Sequence, residues 1–129
     1  MYGKPANRAA DQSYRWIAFT SRVASASPHE LVSILFDELL LALEAMPIAH
    51  RARMHAQYAA RQSRALTILH SLDSSLDFEA APELANSLAA IYREARRLIM
   101  QASRDNNPAL IHDARAMIAE IADAWQAIK

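Results

Sequence analysis

The chain has 129 residues, with 14 basic and 14 acidic side chains, so its formal net charge is zero. It contains no cysteine and a single glycine, Gly3. This composition excludes a disulfide framework, a thiolate metal site, a cysteine nucleophile and a glycine-rich phosphate loop, and it disfavours a purely electrostatic nucleic-acid binder. A chain of this length can bury one hydrophobic core, and its abundant alanine and scarce β-branched residues indicate helices rather than strands.

Residues 1–26 are predicted to form a basic N-terminal arm, partly mobile at its start because apolar residues are lacking there. We expect no secretory signal in it, since charges occur throughout. A short helix could begin at Asp11 or Ser13. Two interpretations stay open: a tail docked on the domain, or a movable cover over an apolar surface. The side chains available for either role are Tyr14, Trp16, Ile17, Phe19 and Val23.

The segment 27–46 carries the strongest helix signal of the chain. Ser27 is the predicted cap, Pro28 takes the first helical position, and Glu30 completes a capping box. At about 100° per residue, the apolar side chains form two neighbouring stripes. The first stripe comprises Leu31, Ile34, Leu35, Leu39, Ala42 and Met46, and the second comprises Val32, Phe36, Leu40 and Leu43. Because a small bundle offers a helix one core-facing side, we expect another segment to cover the second stripe.

Pro47 predicts that this helix ends near Met46, before a short connection at residues 47–50. Three more helices are predicted: one over about 51–72 or beyond, one from Pro82 to about Arg104, and one from Pro108 with Asn107 as its cap. Four long helices with short connections predict an all-α fold, an antiparallel four-helix bundle over residues 27–129 with an N-terminal arm or short helix.

No catalytic, metal or cofactor constellation is apparent. No glutamate has a histidine three residues later, as a di-iron bundle requires, and neither HExxH nor GxSxG occurs. We therefore predict no enzyme activity, no metal and no cofactor. Asp37, Glu38 and Glu44 interrupt the leucine-rich run, so no stable membrane insertion is expected and a cytoplasmic location is the default. The arginines of the second and third helices are interpreted as solvated faces rather than a nucleic-acid surface.

Three stretches resemble the flagellar secretion chaperone family FliS. Residues 26–32 read ASPHELV and residues 35–37 read LFD, where the family typically has T-A-S-P-H-x-L and then M-L-Y-D-G. Residues 76–79 and 85–92 read LDFE and ANSLAAIY, similar to L-N/D-x-E and then A-x-N-L-x-x-L-Y. Residues 122–125 read ADAW, similar to the family's R-x-A-W ending. The resemblance covers the chain from Ser27 onward, in order and without large gaps.

This resemblance implies a helical bundle that binds the C-terminal segment of flagellin, keeps it unpolymerised and delivers it to the export gate of the flagellar type III secretion apparatus. It also implies an arm that covers the binding groove and yields to flagellin, with Tyr14 as the arm tyrosine. The sequence departs from the family at Phe36, in place of Tyr, and at Glu38, in place of Gly.

On this basis, the predicted flagellin-binding groove comprises Val32, Phe36, Leu40 and Leu43, with a neighbouring site at Leu66, Leu69 and Leu76. Tyr14 and Ile17 are predicted to cover the groove when it is empty. The alternative is a self-associating helical adaptor without a flagellin client, in which the second stripe is a homodimer interface.

Overall fold

The computed structural model describes residues 14–15 and 17–128. Every regular element in this part is a helix, and it holds no strand, so the predicted all-α class is confirmed. The four long helices are α1 (Pro28–Arg51), α2 (His55–Ser74), α3 (Pro82–Asp105) and α4 (Ala109–Ala127). Residues 14–15 and 17–25 are also helical and are called the arm helix. The expected looseness of the first dozen residues, and Trp16, lie outside the described part.

The predicted start of α1 is confirmed and its predicted end is wrong. Ser27 Oγ accepts a hydrogen bond from the Glu30 amide at 3.2 Å, and the Ser27 amide donates to Glu30 Oε1 at 3.5 Å. The helix passes through Pro47 and ends at Arg51. A proline removes only one helical hydrogen bond. Here Pro47 is itself buried, and burial of the apolar face continues to Ala49, so packing outweighs the lost bond.

The connection between α1 and α2 therefore lies at residues 52–54 rather than 47–50. Arg53 adopts a left-handed backbone conformation with φ 55°, which reverses the chain without a glycine. The Met54 amide then donates to Ala49 O at 2.9 Å and satisfies a carbonyl at the end of α1. α2 begins at His55, a few residues after its predicted start.

The later boundaries lie close to their predicted positions. α3 begins at Pro82 as expected and ends at Asp105, one residue beyond the prediction. Asn106 closes it in the left-handed conformation, with φ 51° and ψ 43°. α4 begins at Ala109 rather than Pro108. Pro108 and not Asn107 is therefore the N-cap, so the predicted cap is wrong by one residue, although Asn107 Oδ1 accepts from the Ala109 amide at 3.1 Å.

α1 has two helix neighbours, which explains the width of its apolar surface. It packs against α2 on one side and α4 on the other. Ion pairs mark the two edges: Glu38 meets Arg64 of α2 at 3.0 Å, and Glu44 meets Arg115 of α4 at 2.6 Å. Much of the apolar surface of α1 is therefore buried by the chain itself. The largest fully buried side chains are Phe36, Leu39, Leu43, Met46, Leu72, Ile99, Ile111 and Ile118.

The contacts of α1 join opposite ends of neighbouring helices. Against α2, the end of α1 meets the start of its neighbour; against α4, the start of α1 meets the end of its neighbour. The contacts that show this are His50 with Tyr58, Glu38 with Arg64, His29 with Trp125, and Glu44 with Arg115. None of the helices in the described part is both long and apolar enough to cross a lipid bilayer.

Candidate functional site

A cleft beneath the arm helix leaves part of α1 open to solvent. The cleft has a volume of about 730 Å³ and lies between the arm helix, α1 and α2. Its apolar floor is a strip of α1 that we call the α1 strip, formed by Leu41, Ala45 and Ile48 at i, i+4 and i+7. Leu41 is 58% exposed and Ile48 is 59% exposed even with the arm in place. The arm therefore covers this apolar strip only in part.

Two side chains of the arm helix, Phe19 and Arg22, contact the rest of the bundle near solvent. The Arg64 guanidinium carbon lies 5.4 Å from the centre of the Phe19 ring. Arg22 pairs with Asp37 at 3.4 Å, with both side chains about half exposed. An exposed ion pair is worth about 0–1 kcal/mol and an exposed cation–π contact about 0.5–1 kcal/mol. Each of these two contacts is therefore weak by itself.

The cleft rim is predominantly basic. Arginines from the arm and from α2 outnumber the carboxylates of α1 around it. The basic residues are Arg15, Arg22, Arg61 and Arg64, and the acidic residues are Glu38 and Glu44. Arg64 is the most engaged of them, since it binds Glu38 and also stacks on Phe19. Arg64 thus connects the arm, α1 and α2.

Tyr14 and Ile17, the predicted cover, both lie at the surface in this structure. Tyr14 is 79% exposed and Ile17 is 61% exposed, so neither closes a groove in this conformation. Phe19, on another side of the arm helix, is the half-buried aromatic that faces the cleft. Tyr14 and Ile17 are three positions apart and share one face of the arm helix, whereas Phe19, two positions after Ile17, points about 200° away from it.

The seven residues predicted for the groove are not brought together on one surface. Phe36, Leu43 and Leu69 are at most 2% exposed and belong to the core of the chain itself. At Phe36 and Leu43 the second stripe is therefore buried by α2, α3 and α4, and no segment from outside the bundle is needed to cover it there. The remaining residues are half-buried and pack against that core: Val32, Leu40, Leu66 and Leu76.

Sequence reasoning missed the α1 strip. The strip was visible as an i, i+4, i+7 pattern beside Asp37 and Glu44, on the side of the helix assigned to solvent. The two apolar stripes predicted for α1 contain none of Leu41, Ala45 and Ile48. Only the positions of the neighbouring helices show which apolar side remains uncovered.

The opposite end of α1 is closed by a reciprocal contact. His29 Nε2 lies 3.0 Å from Trp125 O, and Trp125 Nε1 donates to His29 O at 3.1 Å. The two rings also stack, with centroids 4.8 Å apart and planes 10° apart. This contact ties the start of α1 to the end of α4 and supports the helix that carries the α1 strip.

The side chains that line the cleft are apolar groups, arginines and carboxylates. Across residues 14–15 and 17–128, no group of three or more histidine and carboxylate side chains is placed to hold a metal ion. The cleft offers apolar contact area, guanidinium groups and two carboxylates. An amphipathic helical segment of another protein is the kind of ligand that such a surface accepts.

The chain is similar to a known protein family and to several of its members. Residues 10–129 match the family described as flagellar protein FliS. The chain is 34% identical to the flagellar secretion chaperone FliS of Escherichia coli (strain K12) over 116 residues, which cover 89% of this chain and 85% of that protein. It is 32% identical to the flagellar secretion chaperone FliS of Salmonella typhimurium (strain LT2) over 124 residues, 91% of this chain and 87% of that protein. The Vibrio cholerae serotype O1 protein of the same name is 30% identical over 121 residues, with 94% and 89% covered.

Proposed function

Because the chain belongs to the FliS family, whose curated relatives are flagellar secretion chaperones, we propose that it is a cytoplasmic export chaperone for flagellin. It binds the C-terminal segment of flagellin, prevents premature polymerisation and delivers the protein to the export gate of the flagellar type III secretion apparatus. Residues 27–129 are the binding domain, an antiparallel four-helix bundle, and residues 1–26 are its arm. No enzymatic step belongs to this role.

The observation that carries the proposal is the partly exposed α1 strip beneath the arm helix. Leu41 and Ile48 leave more than half of their surface exposed, and they lie together on the floor of one cleft. Completing the burial of such side chains stabilises a complex by roughly 1–2 kcal/mol each. A client helix with apolar residues at i, i+3 or i+4, and i+7 matches the spacing of the strip.

Displacement of the arm exposes the whole client-binding surface. The arm carries Arg15 and Arg22 away with it, so a client segment then meets Arg61 and Arg64 of α2 beside Glu38 and Glu44 of α1. A disordered amphipathic segment would fold on this surface and cover its own polymerisation face, at the cost of its ordering entropy. The half-buried Val32, Leu40, Leu66 and Leu76 stay predicted as further client contacts around the bundle.

Co-purification tests the proposal directly. The chain is co-expressed with full-length flagellin and, separately, with flagellin that lacks its C-terminal segment. We expect a stable complex with the first protein only. Recovery of neither flagellin, or equal recovery of both, contradicts the proposal.

The exposed α1 strip also favours a second candidate, a self-associating adaptor in which the strip pairs with a second copy. Light scattering during size exclusion separates the candidates. A chaperone should form a complex with one chain per flagellin. An adaptor should form a homodimer that flagellin does not dissociate. In that case Leu41→Glu should convert the homodimer to a monomer.

A further inference from the structure

A second, separate groove lies between α2 and α3. These two helices pack least closely of the neighbouring pairs, and a cavity of about 160 Å³ opens between them. The cavity is lined by Leu69, His70, Asp73, Ala89, Tyr92, Arg93 and Arg96. It shares no lining residue with the cleft beneath the arm, so ligands can occupy both sites at once.

The floor of this α2/α3 groove is apolar and has the size of one side chain. Leu69 and Tyr92 are buried, and Ala89 is half-buried beside them. A cavity of about 150 Å³ holds a benzene molecule, whereas small-molecule sites usually need about 300–1,000 Å³. The groove therefore fits one leucine-sized or phenylalanine-sized side chain of a protein better than a cofactor.

The rim of the groove presents unpaired positive charge. Arg93 and Arg96 are exposed and make no hydrogen bond or ion pair with any described residue. Arg97 on the same helix differs, because it binds Glu94 at 2.6 Å. Farther along this face of α3, Met100 and Arg104 are also exposed, and Arg104 likewise has no ion pair within the described part. Guanidinium groups left free beside an apolar pocket are suited to bind carboxylates.

Tyr92 adds a hydrogen-bond donor to the groove. The residue is 4% exposed, and its ring packs against Phe36 at 6.5 Å. Its hydroxyl has no hydrogen-bond partner among the described residues, and no fully buried side-chain oxygen or nitrogen in that part lacks one. The hydroxyl must therefore reach the solvent of the groove. Burial raises the pKa of Tyr92 to about 12, and the Asp73 carboxylate adds to the shift, so the phenol keeps its proton at physiological pH.

We propose that the α2/α3 groove binds an acidic segment of a second protein partner, which inserts one apolar side chain between Leu69 and Tyr92 and places its carboxylates on Arg93 and Arg96. The arm helix is not the occupant, since its Arg15 and Arg22 line the other cleft. A nucleic acid fits poorly, because bases need an exposed aromatic face for stacking and Tyr92 offers none. Asp73 and His70 form the opposite wall, and the Asp73 carboxylate opposes an acidic ligand.

The test uses the full chain and a fluorescent helical peptide in which one leucine is flanked by glutamates at i−4 and i+3. A peptide with lysine in place of each glutamate is the charge control, and a single-stranded oligothymidine of equal charge represents nucleic acid. Anisotropy is measured for the wild type, Arg93→Gln/Arg96→Gln, Asp73→Asn and Ala89→Trp. Arg51→Gln/Arg53→Gln removes the same charge at another exposed site and serves as the matched control. Thermal melts verify that each variant is folded.

We expect the glutamate peptide to bind and the lysine peptide not to bind. Arg93→Gln/Arg96→Gln should weaken binding by about tenfold or more, with the salt dependence reduced. Ala89→Trp should abolish binding by filling the pocket, Asp73→Asn should tighten it, and the Arg51/Arg53 control should leave it within about twofold. Absence of binding, equal binding of both peptides, equal loss in the control variant, or displacement of the peptide by oligothymidine overturns the proposal. Since flagellin binding is not measured here, failure of this test leaves the chaperone proposal untouched.

Discussion

His29 and Trp125 each bind the backbone of the other, with Nε2 of His29 3.0 Å from Trp125 O and Nε1 of Trp125 3.1 Å from His29 O. The Trp125 ring also lies edge-on to the buried Phe36, with centroids 6.4 Å apart. The contact therefore links the start of α1, the end of α4 and the core. It keeps α1 in place while the opposite side of that helix exposes the α1 strip.

Trp125→Phe should lower the free energy of unfolding by about 1 kcal/mol, because it removes one hydrogen bond and keeps an aromatic ring against Phe36. His29→Ala should cost about 1–2 kcal/mol, since it removes the other hydrogen bond together with the stacked ring. Urea denaturation followed by circular dichroism at 222 nm measures both. The double variant should cost less than the sum of the two single variants, and strict additivity would show that the residues act independently.

Phe19→Ala should increase the affinity for a flagellin C-terminal peptide, because it removes the arm's contact with Arg64 and leaves the cleft open more often. A gain of about 2-fold to 5-fold corresponds to the roughly 0.5–1 kcal/mol of an exposed cation–π contact. Ile17→Ala is the matched control, since this side chain is 61% exposed and does not hold the arm. An equal gain from both variants would mean that Ile17 shares the covering role.

Arg53→Gly should raise the free energy of unfolding by roughly 0.5–1 kcal/mol, because glycine adopts a positive φ without the steric cost of a Cβ atom. Arg53→Ala keeps the Cβ atom and removes the same charge, so it should leave stability nearly unchanged. Chemical denaturation at neutral pH measures both variants. A gain from alanine equal to that from glycine would assign the effect to charge instead of backbone conformation.

Alkaline conditions should weaken the fold through Tyr92. The phenol has its ordinary pKa of 10.0 in the unfolded chain and a pKa of about 12 in the folded protein. Below pH 10 the phenol is protonated in both states. Between about pH 10 and 12 it ionises only in the unfolded chain. Ionisation stabilises the unfolded state, so the free energy of unfolding falls. Tyr92→Phe should flatten this decline in a series of denaturation midpoints from pH 9 upward. Tyr14→Phe, at an exposed tyrosine, should leave the decline as it is.

Local sequence signals predicted the starts of α1 and α3. The capping box at Ser27 and the proline at Pro82 fix their positions through bonds within one turn, and both are found where expected. The end of α1 could not be predicted in the same way. Whether a helix continues past Pro47 depends on how much surface is buried beyond it, and that depends on contacts with other helices.

The candidate site likewise combines features that the sequence predicts with features that depend on contacts between helices. Periodicity identified α1 as apolar on several sides, but it could not show which sides face α2 and α4. Phe36 and Leu43 were assigned to a groove and lie in the core, while Leu41 and Ile48 remain exposed. A helical wheel gives the angles between side chains and contains no information about neighbours in space. The family resemblance, carried by motifs spread along the chain, did not require that information, and the family is confirmed.

The most direct test of the client site is the affinity of a labelled flagellin C-terminal peptide for Leu41→Glu/Ile48→Glu. These substitutions place two carboxylates on the α1 strip without removing a core side chain, so the fold should persist. We predict a loss of at least about tenfold relative to the wild type, from lost apolar burial and desolvated charge. Leu84→Glu/Ile128→Glu alters side chains of similar exposure elsewhere and should leave affinity within about twofold. Unchanged affinity in Leu41→Glu/Ile48→Glu, with the fold verified by circular dichroism, would contradict the assignment of the α1 strip as the client site.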